Sequence, residues 1–506
     1  MKRRIVLFLA AVLLSLLVVP AINILSVPSL DAIKWRKTDF LYNMDFASRW
    51  VSRSLYPLGI STNPKQVIVG RGDWLYLGDQ YAQTLTVDRS LPIEADIALG
   101  KQIGAATRAW DAYLSRKGVK LFRIMIGPNK GTIYPEHLPL WAKPASPNAT
   151  DALLAGTGVQ HYVDLRPSLL AAKATQPEAL YYKTDTHWNF LGAGIAFRAF
   201  AQRISKDAPD IEWPPETAYE VRRVDQRGGG DLASFLRLRT SLTDSEPRIN
   251  ADLSVETTQY NFDTKQVVHQ GGNPSVEAST KPLLVKSKGA LNKKKVLWLR
   301  DSFGTRMSPL MAATFSEVLL LPWSEAIKPG GRLIQLVDEW KPDYVFFTVV
   351  ERESRSLLFA TYPPPDFLPR GSGFQPIHTA IPFTLNHLIH GHSNNEYRIN
   401  GDDPFVDFAF SDAVAPTENP YLSIDLTCDD GAQSVPLQLF WLEEGRHYFD
   451  EEHSTRFLFH TGQNLIDVRT IPKLETTGAI SRLRLDVDAQ NTCMQFRLNN
   501  LSLGRN

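Results

Sequence analysis

The first two thirds of the chain alternate short apolar runs with stretches of helical periodicity, a pattern typical of an α/β sheet. The apolar runs predict a strand pair around a Gly-Asp turn and five longer strands, at 66–77, 119–126, 159–165, 295–299, 317–322 and 344–350. The periodic stretches predict helices at 93–116, 189–204, 305–314 and 331–340. The last three strands form a βαβαβ unit, so ligand chemistry should collect at their carboxyl ends.

The last third of the chain changes to a period of two. Apolar and polar residues alternate at 421–426, 437–441, 455–459, 483–487 and 493–498, which is typical of an antiparallel β-sandwich. Prolines and glycines between the two patterns predict a linker. The predicted organisation is an apolar N-terminal segment, an α/β domain, a linker and a sandwich, at 1–28, 29–362, 363–376 and 377–506. A polar insertion at about 238–292, carrying a hairpin, should border the active site.

The N-terminus has the form of an export signal or a membrane anchor. Three basic residues, Lys2, Arg3 and Arg4, precede an apolar run over 5–22 that only Ser15 and Pro20 interrupt. The cations should stay in the cytoplasm and place the rest of the chain in the periplasm. Because no clear cleavage site follows, we expect an anchor in the inner membrane; the alternative is export with the signal removed.

Composition indicates a folded protein without the charge of a nucleic-acid binder. Hydrophobic residues make up 43% and charged residues 22% of 506 residues, which suits two or three domains. Lysine and arginine total 55 against 54 acidic residues, so no basic footprint for nucleic acid exists. In an exported chain, the two cysteines, Cys428 and Cys493, should form a disulfide; unpaired buried thiols are the alternative.

The strongest candidate chemistry combines two distant motifs. The stretch 182–188 (YKTDTHW) holds Asp185 and His187, and the strand at 295–299 leads into 300–304 (RDSFG), which holds Ser302. A serine hydroxyl needs a base to take its proton, and the base needs a carboxylate to orient it. Ser302 lies at a strand-to-helix turn, where the N–H groups that begin the helix can face an oxyanion. We therefore predict an Asp185, His187, Ser302 triad, which requires no metal or other cofactor.

Four motifs together resemble the AlgX/AlgJ-type polysaccharide O-acetyltransferases. They are the Asp-Ser-Phe at a strand end, the upstream Asp-Thr-His-Trp, and the segments 69–76 (VGRGDWLY) and 128–136 (PNKGTIYPE). The resemblance spans about 64–354 and implies a permuted SGNH-hydrolase-like domain, in which acid and base precede the nucleophile. It also implies that Ser302 takes the acetyl group, His187 is its general base and Asp185 orients His187.

The same resemblance implies a substrate and partners. The acceptor would be an exported polysaccharide such as alginate, and a multi-spanning membrane O-acyltransferase would supply the acetyl group. The C-terminal sandwich is similar to jelly-roll modules that accompany carbohydrate-active domains, so we expect it either to bind polymer or simply to pack on the catalytic domain. A glycan acetyl esterase using the same triad, or a non-catalytic polysaccharide-binding scaffold, are the alternative functions.

Several further residues are weaker candidates. Trp188 would exclude water from the site or else pack in the core, and Asn129 and Lys130 would contact ligand or form a plain turn. The chain departs from ordinary SGNH sites in having Arg300 before the Asp-Ser pair and Glu351-Arg352 where an oxyanion Asn is usual. Arg352 would therefore stabilise an oxyanion, hold an acidic sugar, or pair with Glu351 at the surface.

One further cluster suggests a metal site. It consists of three histidines near the linker, His387, His390 and His392. We expect no metal there, because their spacing fits no structural zinc pattern and no cysteine assists.

Overall fold

The structure is a computed structural model that describes residues 2–27, 37–158, 160–251, 253–328, 330–368, 373–432, 434–474, 477–487 and 493–505. Its helices are α1 Lys2–Leu25, α2 Thr38–Leu41, α3 Asp45–Leu55, α4 Thr84–Arg89, α5 Glu94–Arg116, α6 Lys130–Ile133, α7 Ala149–Thr157, α8 Arg166–Thr175, α9 Phe190–Ile204, α10 Asp231–Phe235, α11 Ser308–Thr314, α12 Trp323–Ile327 and α13 Leu333–Trp340. Short 3-10 helices at Ser302–Met307 and Glu351–Glu353 follow two of the strands.

The strands of the first part are β1 Val67–Val69, β2 Leu75–Leu77, β3 Leu121–Gly127, β4 Tyr162–Asp164, β5 Val221–Gly228, β6 Thr243–Ile249, β7 Glu256–Asn261, β8 Val267–Gln270, β9 Leu283–Lys288, β10 Asn292–Arg300, β11 Phe315–Leu321 and β12 Tyr344–Val350. Those of the second are β13 Phe367–Leu368, β14 Gln375–Asn386, β15 Leu388–His390, β16 Glu396–Ile399, β17 Phe405–Val414, β18 Tyr421–Cys428, β19 Ser434–Glu443, β20 Ser454–His460, β21 Gly462–Asp467, β22 Ile480–Val487, β23 Gln495–Leu498 and β24 Leu501–Arg505.

A mixed eight-stranded sheet organises the first part of the molecule, in the order β4-β3-β12-β10-β11-β9-β7-β8. The first five strands in that order are parallel neighbours, and the last three join antiparallel. Consecutive residues of β10 face opposite layers, since Trp298 packs with the core that α9 completes and Leu297 with the core that α5 and α13 complete. Burial on both faces explains the continuous apolar runs of the central strands. The predicted fold class is confirmed.

The stretch 238–292 is more regular than its sequence indicates. It contains β6, β7, β8 and β9, three of which extend the main sheet, while β6 pairs with β5 in a separate ribbon. In β6 and β7, polar side chains occupy inward positions, since Asp244, Glu246, Thr257 and Gln259 are all buried. The sequence of these two strands therefore lacks the period-two alternation of apolar residues that indicates a strand.

The second part is an antiparallel sandwich around its own apolar core. All its strand pairs are antiparallel, and β14 joins the two layers, since its first half pairs with β24 and its second half with β17. Strand β20 shows strict alternation of buried and open positions. Of the predicted linker 363–376, residues 369–372 lie outside the described part of the chain, as does residue 159 at the start of the predicted strand 159–165.

Among the described residues, one helix is long and apolar enough to cross a membrane. It covers Arg3–Leu25 with a mean hydropathy of 3.0, and its side chains have few contacts with the rest of the protein. A signal sequence near the N-terminus would show the same properties, so the choice between anchor and cleaved signal stays a prediction.

The predicted disulfide is present, and it generates a test of the sandwich. Cys428 and Cys493 are bonded across 65 residues of chain. Closing a loop of that length stabilises the folded state by about 4 kcal/mol in the chain-entropy model. We expect a Cys428→Ser, Cys493→Ser variant to lower the unfolding temperature of the sandwich in calorimetry while the α/β part unfolds unchanged. An unchanged unfolding temperature would show that the disulfide does not stabilise the sandwich by constraining its unfolded chain.

Candidate active site

Ser302 lies on a tight turn that Asp301 fastens at the end of β10. The Asp301 carboxylate accepts the Phe303 N–H at 2.9 Å, which caps the short helix Ser302–Met307. Its other oxygen accepts the Val350 N–H at 2.6 Å, so the turn is tied to the end of the neighbouring strand β12. Burial raises the pKa of Asp301, an effect that these two N–H donors oppose. One carboxylate thus fixes where Ser302 stands relative to the sheet.

Trp188 supports the same turn from inside the protein. Its indole is fully buried and donates its N–H to the Phe303 carbonyl at 2.9 Å. Gly127, at the end of β3, leaves room for this contact, because a Cβ there would lie 2.8 Å from the Phe303 ring and 3.1 Å from the indole. Of the two alternatives for Trp188, the structure favours packing in the core, since a side chain without exposed surface cannot contact a ligand.

The structure brings Asp185, His187 and Ser302 together, although 115 residues separate His187 from Ser302. His187 Nε2 lies 2.8 Å from Ser302 Oγ, and His187 Nδ1 lies 2.7 Å from Asp185 Oδ1. The same carboxylate oxygen accepts the His187 backbone N–H at 3.1 Å. Both distances are those of hydrogen bonds, so a proton can pass from the serine hydroxyl to the imidazole while the carboxylate orients the ring.

Electrostatics keep Asp185 ionised inside this site. Burial by itself raises the pKa of a carboxyl group, but the hydrogen bonds from His187 and the charge of Arg227, 3.4 Å away, outweigh it. The pKa of Asp185 is therefore held well below its ordinary value. An ionised Asp185 can stabilise an imidazolium at every pH above about 4, the ordinary pKa of an aspartate.

Lys130 holds the loop that carries Asp185. The ammonium group is buried and donates its three protons to the carbonyls of Tyr182, Lys183 and Asp185, at 3.0, 2.9 and 2.7 Å. Burial lowers the pKa of Lys130 to about 8. The structure thus corrects the expectation of a ligand contact, because no N–H of this group is left for a ligand. Lys130 is a positioning residue.

Acidic side chains from β6 and α10 clamp the other side of this loop. Thr184 donates its N–H to Asp244 at 3.0 Å, and Tyr182 donates its hydroxyl to Glu246 at 2.6 Å. Thr186 donates its N–H to Asp231 at 2.8 Å. No local signal in the sequence marks these three acids, since each lies in or next to the insertion and meets the loop only in the folded chain.

Gly230 is a further residue that the sequence analysis misses. A Cβ at this position would lie 2.3 Å from the Cβ of Asp185, so only glycine lets α10 approach the acid. The run of three glycines at 228–230, followed by Asp231, is the signal that could have found this contact. Such a run marks a close approach of backbone to another group.

A cleft beside the triad contains the remaining predicted residues. It encloses about 450 Å³, open to solvent, and its lining includes Asp88, Asn129, Thr186 and Arg352. Arg352 lies 5.7 Å over the Phe303 ring and donates to the side-chain amide oxygen Oδ1 of Asn129 at 3.3 Å. Its guanidinium thus lies in the wall of this cleft.

Glu351 and Arg300 are buried and hydrogen-bonded, so neither presents its charge to this cleft. Glu351 is buried and accepts the Asn129 N–H at 2.7 Å and the Thr132 hydroxyl at 2.6 Å. The expected surface pair of Glu351 with Arg352 is therefore wrong, because Glu351 fastens the loop after β3 instead. Arg300 is also buried and donates to the Val276 carbonyl at 2.6 Å, which gives it a structural part behind the Ser302 turn.

Asp185, His187 and Asp231 also offer three potential metal ligands within 4.8 Å of one another. Their hydrogen bonds to one another, to Thr186 and to Arg227 account for this grouping. His387 accepts the Asp403 N–H at 2.9 Å. That the protein needs no metal stays a prediction.

Replacing Lys130 tests its positioning part. A Lys130→Met variant keeps the length of the side chain but leaves three loop carbonyls without their donor, so Asp185 should shift. We expect the rate of ester turnover to fall by about a hundredfold, the usual cost of a misplacement near 1 Å. Lys183→Met is the matched control, because Lys183 lies in the same loop but its ammonium points away from the loop carbonyls and donates to the Gly72 carbonyl, at 3.3 Å. Equal rates in the two variants would contradict the positioning.

Comparisons with known proteins agree with the motifs. A protein-family model described as SGNH hydrolase-like domain, acetyltransferase AlgX, matches residues 67–275, which include Asp185 and His187 and end before Ser302. The probable alginate O-acetylase AlgJ of Pseudomonas syringae pv. tomato is 32% identical over 178 residues, 34% of this chain. The alignment covers 41% of that relative, so the chain spans about two fifths of its length.

Two solved structures are also similar. Bacillus cereus PatB1 has a TM-score of 0.44 and 14% identity, covering 58% of this chain and 98% of that one. Pseudomonas aeruginosa AlgX has a TM-score of 0.39 and 13% identity, covering 88% of this chain and 96% of that one. The resemblance that the motifs indicate is thus confirmed over residues 67–275, which match the SGNH hydrolase-like domain of the AlgX type.

Proposed function

We propose that the protein is an O-acetyltransferase that moves acetyl groups onto hydroxyls of an exported polysaccharide, alginate or a related polymer. The observation that carries the proposal is the hydrogen-bonded series from Ser302 through His187 to Asp185, at 2.8 and 2.7 Å. The acetyltransferase domain model that matches residues 67–275 supports the transfer of acetyl over that of other acyl groups. The curated relatives are probable alginate O-acetylases, which supports a uronate polymer as acceptor.

The first half of the reaction loads the enzyme. His187 Nε2 takes the hydroxyl proton of Ser302 as Oγ attacks the carbonyl carbon of a donor acetyl ester. The tetrahedral intermediate collapses when the bond to the donor oxygen breaks, and His187 returns the proton to that leaving oxygen. The product is acetyl-Ser302, and the imidazolium that forms on the way is stabilised by ionised Asp185.

The second half transfers the acetyl group. His187 takes the proton of a sugar hydroxyl, whose oxygen attacks acetyl-Ser302; Oγ leaves and recovers that proton from His187. The balance is one ester broken and one ester formed, without redox change or metal. Water in place of the sugar would give free acetate, so an esterase is the first alternative.

Two groups are candidates to assist the transfer, one at the reacting carbonyl and one at the acceptor sugar. The Ser302 N–H begins the short helix Ser302–Met307 and is a candidate oxyanion donor. Arg352 lies in the adjoining cleft, and we assign to it the carboxylate of an acidic sugar, since the cleft also contains Thr186 next to His187. Burial lowers the pKa of Arg352, although an arginine stays charged at neutral pH.

The sandwich offers a candidate surface for a polysaccharide. Arg482 lies 4.6 Å over Phe383 and Arg484 3.7 Å over Phe405, and the two guanidinium groups pair with Asp407 and Asp486. Phe383 is 66% exposed, so its ring is open to a sugar face. It is the candidate surface for the second alternative, a non-catalytic scaffold.

The location follows from α1 and the acceptor. The helix Lys2–Leu25 would anchor the chain in the inner membrane with its catalytic part in the periplasm, where an exported polymer passes. Because the protein has one candidate span among its described residues, we assign acetyl delivery across the bilayer to a separate multi-spanning O-acyltransferase.

Ser302 is the direct test. Purified protein is incubated with an activated acetyl ester and de-acetylated uronate oligosaccharides, and acetyl gain is read by mass spectrometry. We expect Ser302→Ala to reduce acetyl gain by roughly 10⁴-fold or more, with Ser411→Ala, an exposed serine of the sandwich, unaffected. Acetate release without acetylated sugar would identify an esterase. Silence of the native protein in both assays, with polymer binding intact, would identify a scaffold.

Arg352 tests the acceptor class. We expect Arg352→Met to weaken transfer to uronate oligosaccharides through a higher KM, to leave transfer to neutral sugars unchanged, and Arg352→Lys to recover part of the loss. Formation of acetyl-Ser302, measured without acceptor, should proceed at the native rate. A loss of about a hundredfold in that first step would instead place Arg352 at the oxyanion.

A further inference from the structure

A band of exposed apolar side chains runs along the segment that follows α1. Its members are Tyr42, Met44, Trp50, Val51, Leu58 and Ile60, whose exposed fractions extend from 39% at Val51 to 72% at Trp50. Two exposed arginines of α3, Arg49 and Arg53, lie among them. We call these eight residues the juxtamembrane band. Clustered apolar exposure of this kind marks an interaction surface.

The band begins where the candidate membrane span ends. Asn23, in the last turn of α1, donates its side-chain N–H groups to the carbonyls of Leu41 and Asn43, both at 2.9 Å. Tyr42 and Met44 flank these carbonyls and are each 51% exposed. These first members of the band are therefore held at the level of the end of α1. Helix α3 continues from there over 11 residues, a length of about 16 Å.

The band is also attached to the catalytic domain. Asp45 pairs with Arg237 at 2.6 Å, and Arg53 donates to the Ser241 hydroxyl at 3.0 Å. Tyr56 donates its hydroxyl to Asp73 at 3.0 Å. Arg237 and Ser241 follow α10, whose first residue Asp231 holds Thr186 next to His187. The band therefore belongs to the same packed unit as the triad loop.

We propose that the juxtamembrane band lies in the headgroup region of the bilayer and fixes the catalytic domain against the membrane surface. The proposal rests on α1 being the anchor. Tryptophan and tyrosine are the residues that prefer this region, and arginines placed among them meet lipid phosphates. A bilayer is favoured over a protein partner because the band is continuous with α1, and any membrane that α1 enters lies next to it.

Spin labels on the full chain test the proposal. The two native cysteines are bonded to each other, so a cysteine introduced at Trp50→Cys or Leu58→Cys takes the only label. Each variant is reconstituted into nanodiscs that contain anionic phospholipid. The accessibility of the label to oxygen and to a water-soluble nickel chelate is then measured. Tyr448→Cys is the control, because Tyr448 is 84% exposed and belongs to the sandwich.

We expect the labels at positions 50 and 58 to favour oxygen over the nickel chelate and the label at 448 to favour the chelate. In addition, Trp50→Asp should raise the chelate accessibility of a label at Tyr42→Cys. If the chains elute with the discs but the labels at 50 and 58 are exposed to water, the juxtamembrane band does not lie in the headgroup region, although α1 is still the anchor. Dipolar broadening between labels would overturn it in favour of a face between two copies. Chains that elute without discs would overturn the anchor itself, and the band with it.

Discussion

The geometry of the site depends on one buried cation, the ammonium of Lys130, inside the loop that carries Asp185 and His187. Removing this charge from water is costly, and three carbonyl oxygens at 2.7–3.0 Å offset the cost. The rings of Trp74 and Tyr76 lie 5.7 and 5.3 Å away and add attraction. Because the loop carbonyls must converge on one point, the loop has little freedom, and the imidazole is presented in a single orientation.

The carboxylates around the site divide into two groups that their surroundings keep apart. Burial raises the pKa of Asp88, Asp301 and Glu351, whose work is to hold backbone and amide groups in place. Asp185 is buried as well, but His187 and Arg227 hold its pKa low. Neighbouring donors thus keep Asp185 ionised next to the imidazole. The other three acids hold the surrounding segments in place.

The parallel sheet and the segments around it position the groups of the site that lie outside the loop with Asp185 and His187. Strands β10 and β12 end side by side, which sets Ser302 next to Arg352, and β6 and α10 close over the triad loop from outside the sheet. The proposed contact of α3 with the bilayer would orient this assembly toward the membrane. The sandwich, with its separate core, offers the exposed Phe383 ring, at which a long polysaccharide could be retained.

The sequence by itself determined the five parallel strands of the sheet, the sandwich, the disulfide partners and the three triad candidates, because each has a local signal. Apolar runs mark strands buried on both faces, and an acid two residues before a histidine needs no fold to be noticed. Residues 238–292 were harder, since the inward positions of β6 and β7 are polar and carry no hydrophobic period. Only the tertiary structure decided the roles of four residues, Lys130, Asp231, Gly230 and Trp188. Their partners lie 45 to 115 residues away along the chain, or face a core whose position no local pattern reveals. A buried ammonium and a surface lysine look the same in a sequence, and only packing tells them apart.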